Sequence, residues 1–292
     1  MTLPQHVPVL LDEVIEWLSP RSGDVIVDGT VGGGGHTRAL AELVGKEGLV
    51  IGMDRDEQAL SGAENLLRGR PVKIVQSNYA DLPELLQQLE IESVNGILLE
   101  LGLSSDQLAD DQRGFSFSAE GPLDLRYDPQ QGSPAWKLLE RLSQQQLADL
   151  IYEYGEERYS RRIARRIVHR RQEQAIRTAT ELASLVRACV PKSKHSIDPA
   201  TRTFQALRIA VNDELKWLDS ALQRFPDCLA VDGKLAVISF HSLEDRRVKH
   251  AFRSDSRLHV LTKKPVRATE IEIDDNPRSR SAKLRVAARV AS

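Results

Sequence analysis

Three carboxylates in the first hundred residues each close a short apolar run. Asp28 follows Val25-Ile26-Val27, Asp54 follows Val50-Ile51-Gly52-Met53, and Glu100 follows Ile97-Leu98-Leu99. Four consecutive glycines, Gly32 to Gly35, come after the first acid, and His36-Thr37 then leads into a helical pattern. Glycine permits backbone angles and close approaches that a side chain would block, so such a loop can present its amides to a ligand. A carboxylate at the end of the following strand can accept both hydroxyls of a ribose. One glycine would mark an ordinary strand-to-helix turn; four of them with two placed acids point to a nucleotide-like ligand.

The spacing separates two kinds of nucleotide. Dinucleotide enzymes favour G-x-G-x-x-G, with a pyrophosphate on the helix N-terminus. Counted from Gly32, the last position of that pattern is Thr37. Acid, glycines and second acid instead resemble the cofactor loop of Rossmann-like S-adenosylmethionine (SAM) methyltransferases, which hold no pyrophosphate.

The elements that position these residues alternate. Strands are expected at Asp24–Asp28, Leu49–Met53, Val72–Gln76 and Gly96–Leu101, with helices at Gly35–Val44, Glu57–Leu67 and Leu82–Leu89. An earlier helix carries Leu10, Leu11, Val14, Ile15 and Leu18. This rhythm predicts an α/β fold with a mostly parallel twisted sheet, helices on both faces and right-handed crossovers. Ligands in such folds lie beyond the carboxyl ends of the strands, where Asp28, Asp54 and Glu100 fall. The rhythm stops near Ser104. Leu103–Asp128 reads as irregular, and from Pro134 to Pro191 the pattern is helical. Strand character returns at Lys234–Phe240 and near Lys283–Val290. The simplest account is a discontinuous α/β domain, 1–105 with 200–292, and an inserted all-helical domain at 106–199.

Composition narrows the partners. The chain has 292 residues, 41% hydrophobic and 28% charged, with only two cysteines, Cys189 and Cys228. Their separation suggests neither a disulfide scaffold nor a zinc site, and no metal is expected. The N-terminus lacks a basic segment followed by an apolar core, and no apolar run approaches the ~20 residues of a membrane span. A cytoplasmic protein without a membrane partner is expected; a homodimer is left open. The overall charge of −2 is unevenly spread. Glu156–Arg177 carries a net +5 and Arg246–Ser292 a net +8. Two basic segments on an acidic remainder fit a polyanion contact, against the plainer reading of solvated helix faces.

Further segments identify the chain as resembling the RsmH (MraW) family, bacterial methyltransferases that modify N4 of a cytosine in 16S ribosomal RNA. The segments are His6-Val7-Pro8-Val9-Leu10, Asp28-Gly29-Thr30 with Gly34-Gly35-His36, Asp54-Arg55-Asp56, and Gly114-Phe115-Ser116-Phe117 with Gly121-Pro122-Leu123-Asp124. Tyr154-Gly155-Glu156-Glu157-Arg158, the run Ala200 to Ala206, the run Ile238 to Asp245 and Asn276-Pro277-Arg278 complete the set. The resemblance implies a SAM-dependent methyltransferase domain at 1–105 with 200–292, RNA recognition by the insertion at 106–199, SAM as methyl donor and 16S rRNA or the small ribosomal subunit as partner. It maps cofactor contacts onto Gly34, Gly35, His36, Asp54, Tyr79, Glu100 and Gln107. Tyr79 follows the third strand, where an aromatic face can pack on adenine or simply fill the core. The family carries Asp where this chain has Glu100, one methylene longer; displacements of about 1 Å can cost ~10²-fold in rate.

The implied reaction needs positioning more than reactive groups. The cytosine amine is a poor nucleophile because its lone pair is delocalised into the ring. In-line approach to the sulfonium must be imposed, and an acceptor must take an amine hydrogen as the C–N bond forms. Glu100 is the first candidate for this catalytic role. Asp124 and His241 are secondary candidates, each with a structural alternative. DNA amino-methyltransferases carry Pro-Pro-Tyr after this strand; Leu101-Gly102-Leu103 argues against that class. Phe115 and Phe117 could stack on an extruded base or plug the core. Arg161–Arg171, Lys263, Lys264, Arg278 and Arg280 are candidate phosphate contacts, while Lys283 and Arg285 read as edge charges of a strand.

Overall fold

The computed structural model describes residues 8–191 and 198–291. His6 and Val7 of the opening motif, and 192–197 of the expected insertion, lie outside the described residues. In chain order the elements are α1 (Leu11–Leu18), β1 (Val25–Asp28), α2 (Gly35–Val44), β2 (Leu49–Asp54), α3 (Glu57–Leu67) and β3 (Val72–Gln76). A 3-10 turn (Tyr79–Asp81) precedes α4 (Leu82–Gln88) and β4 (Val94–Glu100). Then come α5 (Ser105–Ala109), α6 (Ala135–Arg141), α7 (Gln144–Gly155), α8 (Ser160–Glu173), α9 (Ala179–Cys189), α10 (Thr201–Asn212) and α11 (Glu214–Cys228). The chain ends with β5 (Leu229–Ser239), α12 (Ser242–Ser254), β6 (Leu258–Val260), α13 (Glu270–Asp275), a 3-10 turn (Pro277–Ser281) and β7 (Lys283–Arg289). The fold divides into two units, one running to Ser104 and resuming at Leu215, the other Ser105–Glu214.

The first unit is built on one seven-stranded sheet of order β3-β2-β1-β4-β5-β7-β6. Strands β1 to β5 are parallel, and β7 alone is reversed, pairing antiparallel with β5 and β6. Successive side chains of a strand point to opposite faces. Val27, Ile51, Met53, Ile97, Leu99 and Val237 therefore pack with α4, α11 and α12 through Leu82, Leu222, Phe225 and Phe252. Their neighbours Ile26, Val50, Leu98, Ala236 and Ile238 pack with α1 and α2 through Val14, Leu18, Leu40 and Val44. Both faces need apolar cover, which is why these strands read as nearly unbroken apolar runs. This is the Rossmann-like α/β arrangement expected, and its order reverses between β1 and β4.

The regular elements of the second unit are helices. Capping boxes start α7, where Ser143 and Gln146 bond reciprocally, and α9, where Thr178 and Glu181 do so. Helix α8 buries Ile163, Ala164 and Ile167 as its apolar stripe. The irregular stretch before α6 is held by buried Arg113, which donates to the carbonyls of Arg126 and Tyr127 at 2.9 and 2.8 Å.

Two sequence expectations need correction. The boundary placed at 199/200 falls at 214/215, because α10 packs with α7 and α6. Gln205 Nε2 donates to the Tyr154 carbonyl at 2.8 Å and Arg202 Nη1 to that of Glu156 at 3.2 Å, so two motifs distant in sequence meet there. Lys283 and Arg285 are not edge charges, since β7 lies inside the sheet. Arg285 is 6% exposed and donates to Asp245 at 2.7 Å, while Lys283 lies 3.6 Å from the same carboxylate.

Candidate functional site

The loop from β1 to α2 crosses the point where strand order reverses, and polar groups stitch it to both sides. Asp28 is 1% exposed. Its Oδ2 accepts the Thr37 hydroxyl at 2.6 Å and its Oδ1 the Thr30 amide at 3.1 Å. Towards β4, Gly29 donates to the Leu98 carbonyl at 2.9 Å, and the Thr30 hydroxyl accepts the Glu100 amide at 2.7 Å. Towards β2, Val31 donates to the Met53 carbonyl at 3.1 Å and Gly32 to Asp54 Oδ2 at 2.9 Å. Gly34 then caps α2 with φ 79°, a left-handed angle that glycine adopts without strain. Burial pushes the Asp28 carboxyl above the ordinary range against the opposing pull of His36 and the Thr37 and Thr30 bonds. Asp28 thus builds the loop rather than facing a ligand.

Asp54 ends β2 with two amide donors, Gly32 on Oδ2 and Asp56 on Oδ1 at 3.0 Å. Loss of surrounding water pushes its pKa up to about 6, although the two amides pull it down. A carboxylate has about four acceptor sites, so two donors leave capacity for two more. That matches the paired hydroxyls of a ribose.

Glu100 ends β4 with its side chain 9% exposed. Its Oε2 lies 3.2 Å from His36 Nδ1, and its Oε1 3.9 Å from Arg278 Nη2. The other ring nitrogen of His36, Nε2, is 3.0 Å from the Val9 carbonyl. A carbonyl and a carboxylate both accept, so an imidazolium donating from both nitrogens satisfies the pair. Burial lowers the His36 pKa, but the Glu100 bond and charge, Asp28 and the Val9 carbonyl outweigh it and raise it overall. Both His36 nitrogens are committed to the protein. The Gly34 amide donates to the Val31 carbonyl at 2.8 Å, so what this segment offers a ligand is the backbone of Gly35 and His36 at the start of α2, where first-turn amides lack intrahelical partners.

The remaining candidates divide between the units. Tyr79 opens the 3-10 turn beyond β3 and packs, partly buried, on the core containing Met53 and Leu99. A Cβ on Gly29 would come 3.0 Å from Tyr79 Cβ, which places the base of this side chain beside the β1 exit. The first unit thereby gathers Gly34, Gly35, His36, Asp54, Tyr79 and Glu100 around adjacent strand ends. His241 caps α12: its Nδ1 accepts the Glu244 amide at 3.4 Å, and Glu244 Oε2 accepts the Phe240 and His241 amides. Gln107 and Asp124 belong to the second unit, Gln107 buried on α5. Asp124 receives Arg126 through both oxygens, at 2.8 and 2.7 Å, which orders its own loop.

Phe115 is 3% exposed and stacks on Tyr127, whereas Phe117 is half-buried edge-on to Phe204. Of the basic residues on α8, Arg171 donates to the carbonyls of Leu139 and Leu142, and Arg170 engages Gln174 and Glu173. Arg161, Arg162, Arg165 and Arg166 are exposed and have no acidic partner among the described residues. Sequence reasoning missed what Arg278 does within the fold; its place in the Asn276-Pro277-Arg278 motif was the available signal. No helix among the described residues is long and apolar enough to cross a membrane.

Comparison with known proteins gives the family. Residues 4–290 match the model of the MraW methylase family. The chain is 49% identical to the ribosomal RNA small subunit methyltransferase H of Rhodopirellula baltica, over 98% of this chain and 92% of that one. The protein of the same name from Cyanothece sp. is 51% identical, covering 98% and 95%. That from Deinococcus radiodurans is 50% identical, covering 98% and 90%. The chain belongs to the MraW methylase family.

Proposed function

We propose that this methyltransferase moves a methyl group from SAM to the exocyclic N4 of a cytosine in small-subunit ribosomal RNA, acting in the cytoplasm. The observation that carries the reading is the stitched loop. One set of hydrogen bonds fixes the glycines against the ends of β2 and β4, with Asp54 on one side and Glu100 on the other. Asp54 takes the ribose hydroxyls, Tyr79 lies along the adenine, and the first-turn amides of α2 receive the methionine carboxylate. The methyl group then faces the exit of β4. Displacement at a sulfonium by a neutral amine needs in-line geometry and a proton acceptor, and no metal. Glu100 is the carboxylate at that exit.

RNA recognition rests on the exposed cations. Arg161, Arg162, Arg165 and Arg166 present one guanidinium stripe on α8, opposite its buried apolar residues. Lys263, Lys264 and Arg280 are exposed on the first unit. Such residues release counterions when they meet phosphates, which supplies affinity without base specificity. Extruding a paired base costs a few kcal/mol, which these contacts offset.

The test is incubation with labelled SAM and small subunits lacking the modification, followed by mass mapping of the RNA. The expected product is one N4-methylated cytosine. Intact SAM binding without transfer, or methylation of another atom, overturns the reading.

A further inference from the structure

The C-terminal stretch from α13 to the 3-10 turn closes a circuit around the β4 exit. Glu272 on α13 accepts the Leu10 amide through Oε1 at 2.8 Å. The neighbouring Val9 carbonyl holds His36 Nε2 at 3.0 Å, and His36 Nδ1 holds Glu100 at 3.2 Å. Glu100 lies 3.9 Å from Arg278, whose Nη2 donates to the carbonyl of Leu103. Arg278 returns the circuit to the segment where it began. Its mount is firm: Asn276 and Ser279 are buried, and the Ser279 amide donates to the Asn276 carbonyl at 2.9 Å. Lys283 and Leu284 of β7 follow directly and pair with β5.

We infer that Arg278 is a positioning residue for methyl transfer, holding the Leu101–Ser104 exit through the Leu103 carbonyl while its charge sets the Glu100 carboxylate opposite His36. The inference deepens the function proposed above and rests on Glu100 marking the reacting end of the site. It replaces the expectation that Arg278 contacts phosphate. A guanidinium suits the task because its charge is delocalised over a planar group: Nη2 donates to the Leu103 carbonyl while the same end of the group lies 3.9 Å from the Glu100 carboxylate. The carboxylate is the nearer to ideal alignment the less its surroundings move, and misplacement by about 1 Å costs on the order of 10²-fold. The longer side chain of Glu100 makes this support matter more, since it adds one rotatable bond to be restrained.

The experiment compares the wild-type full chain with Arg278→Met, Arg278→Lys, Glu100→Gln and the double variant Glu100→Gln with Arg278→Met. Turnover on unmodified small subunits, KM for the subunit and SAM affinity by calorimetry are read for each. For Arg278→Met, kcat is expected to fall about 10²-fold with SAM affinity and subunit KM each within about threefold. Arg278→Lys recovers part of kcat. In the Glu100→Gln background the Met substitution adds less than about threefold, because both act through one group. A raised subunit KM with kcat retained would make Arg278 a phosphate contact and overturn the inference, as would fully independent effects in the double variant.

A readout free of activity separates this from the proposed function. Among the described residues, the charged groups that act on the His36 ring are Glu100 and Asp28. Removing the Arg278 charge leaves Glu100 more basic, so the His36 titration followed by NMR should move to higher pH in Arg278→Met and, by less, in Arg278→Lys. An unmoved His36 titration in the folded Met variant overturns the positioning role even where wild type shows no transfer. Should the Met variant fail to fold, Arg278→Gln, which removes the charge but keeps a hydrogen-bond donor for the Leu103 carbonyl, carries the same test.

Discussion

The strand ends of the first unit and helix α8 of the second use charge in opposite ways. Around the β1–β4 reversal the charged side chains are buried or half-buried and each has an assigned partner: Asp28 with Thr37, Asp54 with two amides, Glu100 with His36. On α8, four arginines stand exposed without an acidic partner among the described residues. Buried charge costs free energy unless it is bonded, so it is retained only where geometry is tightly specified. Exposed charge is screened within about 8 Å at physiological salt and specifies little beyond attraction. One region is suited to holding a small ligand in a fixed pose, the other to gathering a polyanion.

The largest effect that would break this contrast is at the cofactor. Asp54→Ala removes the acceptor for the Gly32 and Asp56 amides and, on the proposed function, for two ribose hydroxyls. Hydrogen bonds to a charged group are worth about 1.5–3 kcal/mol each. SAM affinity should fall by roughly 10²- to 10⁴-fold, read by calorimetry, while RNA binding at fixed salt stays unchanged. Unaltered SAM binding in this variant would mean the ribose lies elsewhere.

Next in size is the substrate. Changing Arg161, Arg162, Arg165 and Arg166 together to Gln should raise the subunit KM by about ten- to a hundredfold at physiological salt. The slope of log affinity against log salt should flatten by about 3, since each phosphate that an arginine neutralises adds roughly 0.7–0.9 to it. SAM affinity should not move. A salt slope equal to wild type would reduce the α8 stripe to a solvated face.

Much of the first region was legible in sequence, because its signals are local. Gly35–Val44, Glu57–Leu67 and Val72–Gln76 fall where periodicity placed them, bounded by Gly34, Gly45 and Asp56 as caps. The acids were legible because parallel strands end where apolar runs end. What escaped depends on partners far away in the chain. The reversed direction of β7 shows only through its pairing with β5, which turns Lys283 and Arg285 from edge charges into interior partners of Asp245. The attachment of α10 to the helical unit shows only through Gln205 and Arg202 meeting the end of α7. Arg278 reads as one more cation in a basic tail until Leu103 and Glu100 are seen beside it.

A smaller effect, of about tenfold, sharpens the contrast by pH. Asp54 titrates at about 6, above its ordinary 3.8. If Asp54 holds the ribose, SAM affinity should therefore approach its full value about one unit above pH 6 and fall by up to about tenfold per unit below it, as the carboxylate is protonated. The unliganded fold responds with the opposite sign. A carboxyl whose folded pKa is raised destabilises the fold while ionised, and this is relieved as pH falls through 6 towards 3.8. His36, also raised, stabilises below its ordinary value of 6.5 and loses that contribution as pH rises through its folded value. Moving from pH 7.5 to 5.5 should thus weaken SAM binding while holding or raising the unliganded melting temperature. A parallel loss of both would show that acid unfolds the site rather than titrating it.

The smallest effect is the most diagnostic of what α8 is for. Its first turn contains no acid, so Arg161 and Arg162 oppose the positive end of the helix dipole. Arg161 with Arg165 and Arg162 with Arg166 are like-charge pairs at i,i+4, each unfavourable by about 0.2–0.5 kcal/mol. A helix selected for stability alone would not be charged in this way. The fourfold Gln variant should therefore melt at the same temperature as wild type or up to a few degrees higher, even as its affinity for the subunit falls. Calorimetry in low salt, where the repulsion is least screened, gives the clearest reading. A lower melting temperature would show the arginines supporting the fold, and the division between a positioning region and a gathering region would not hold.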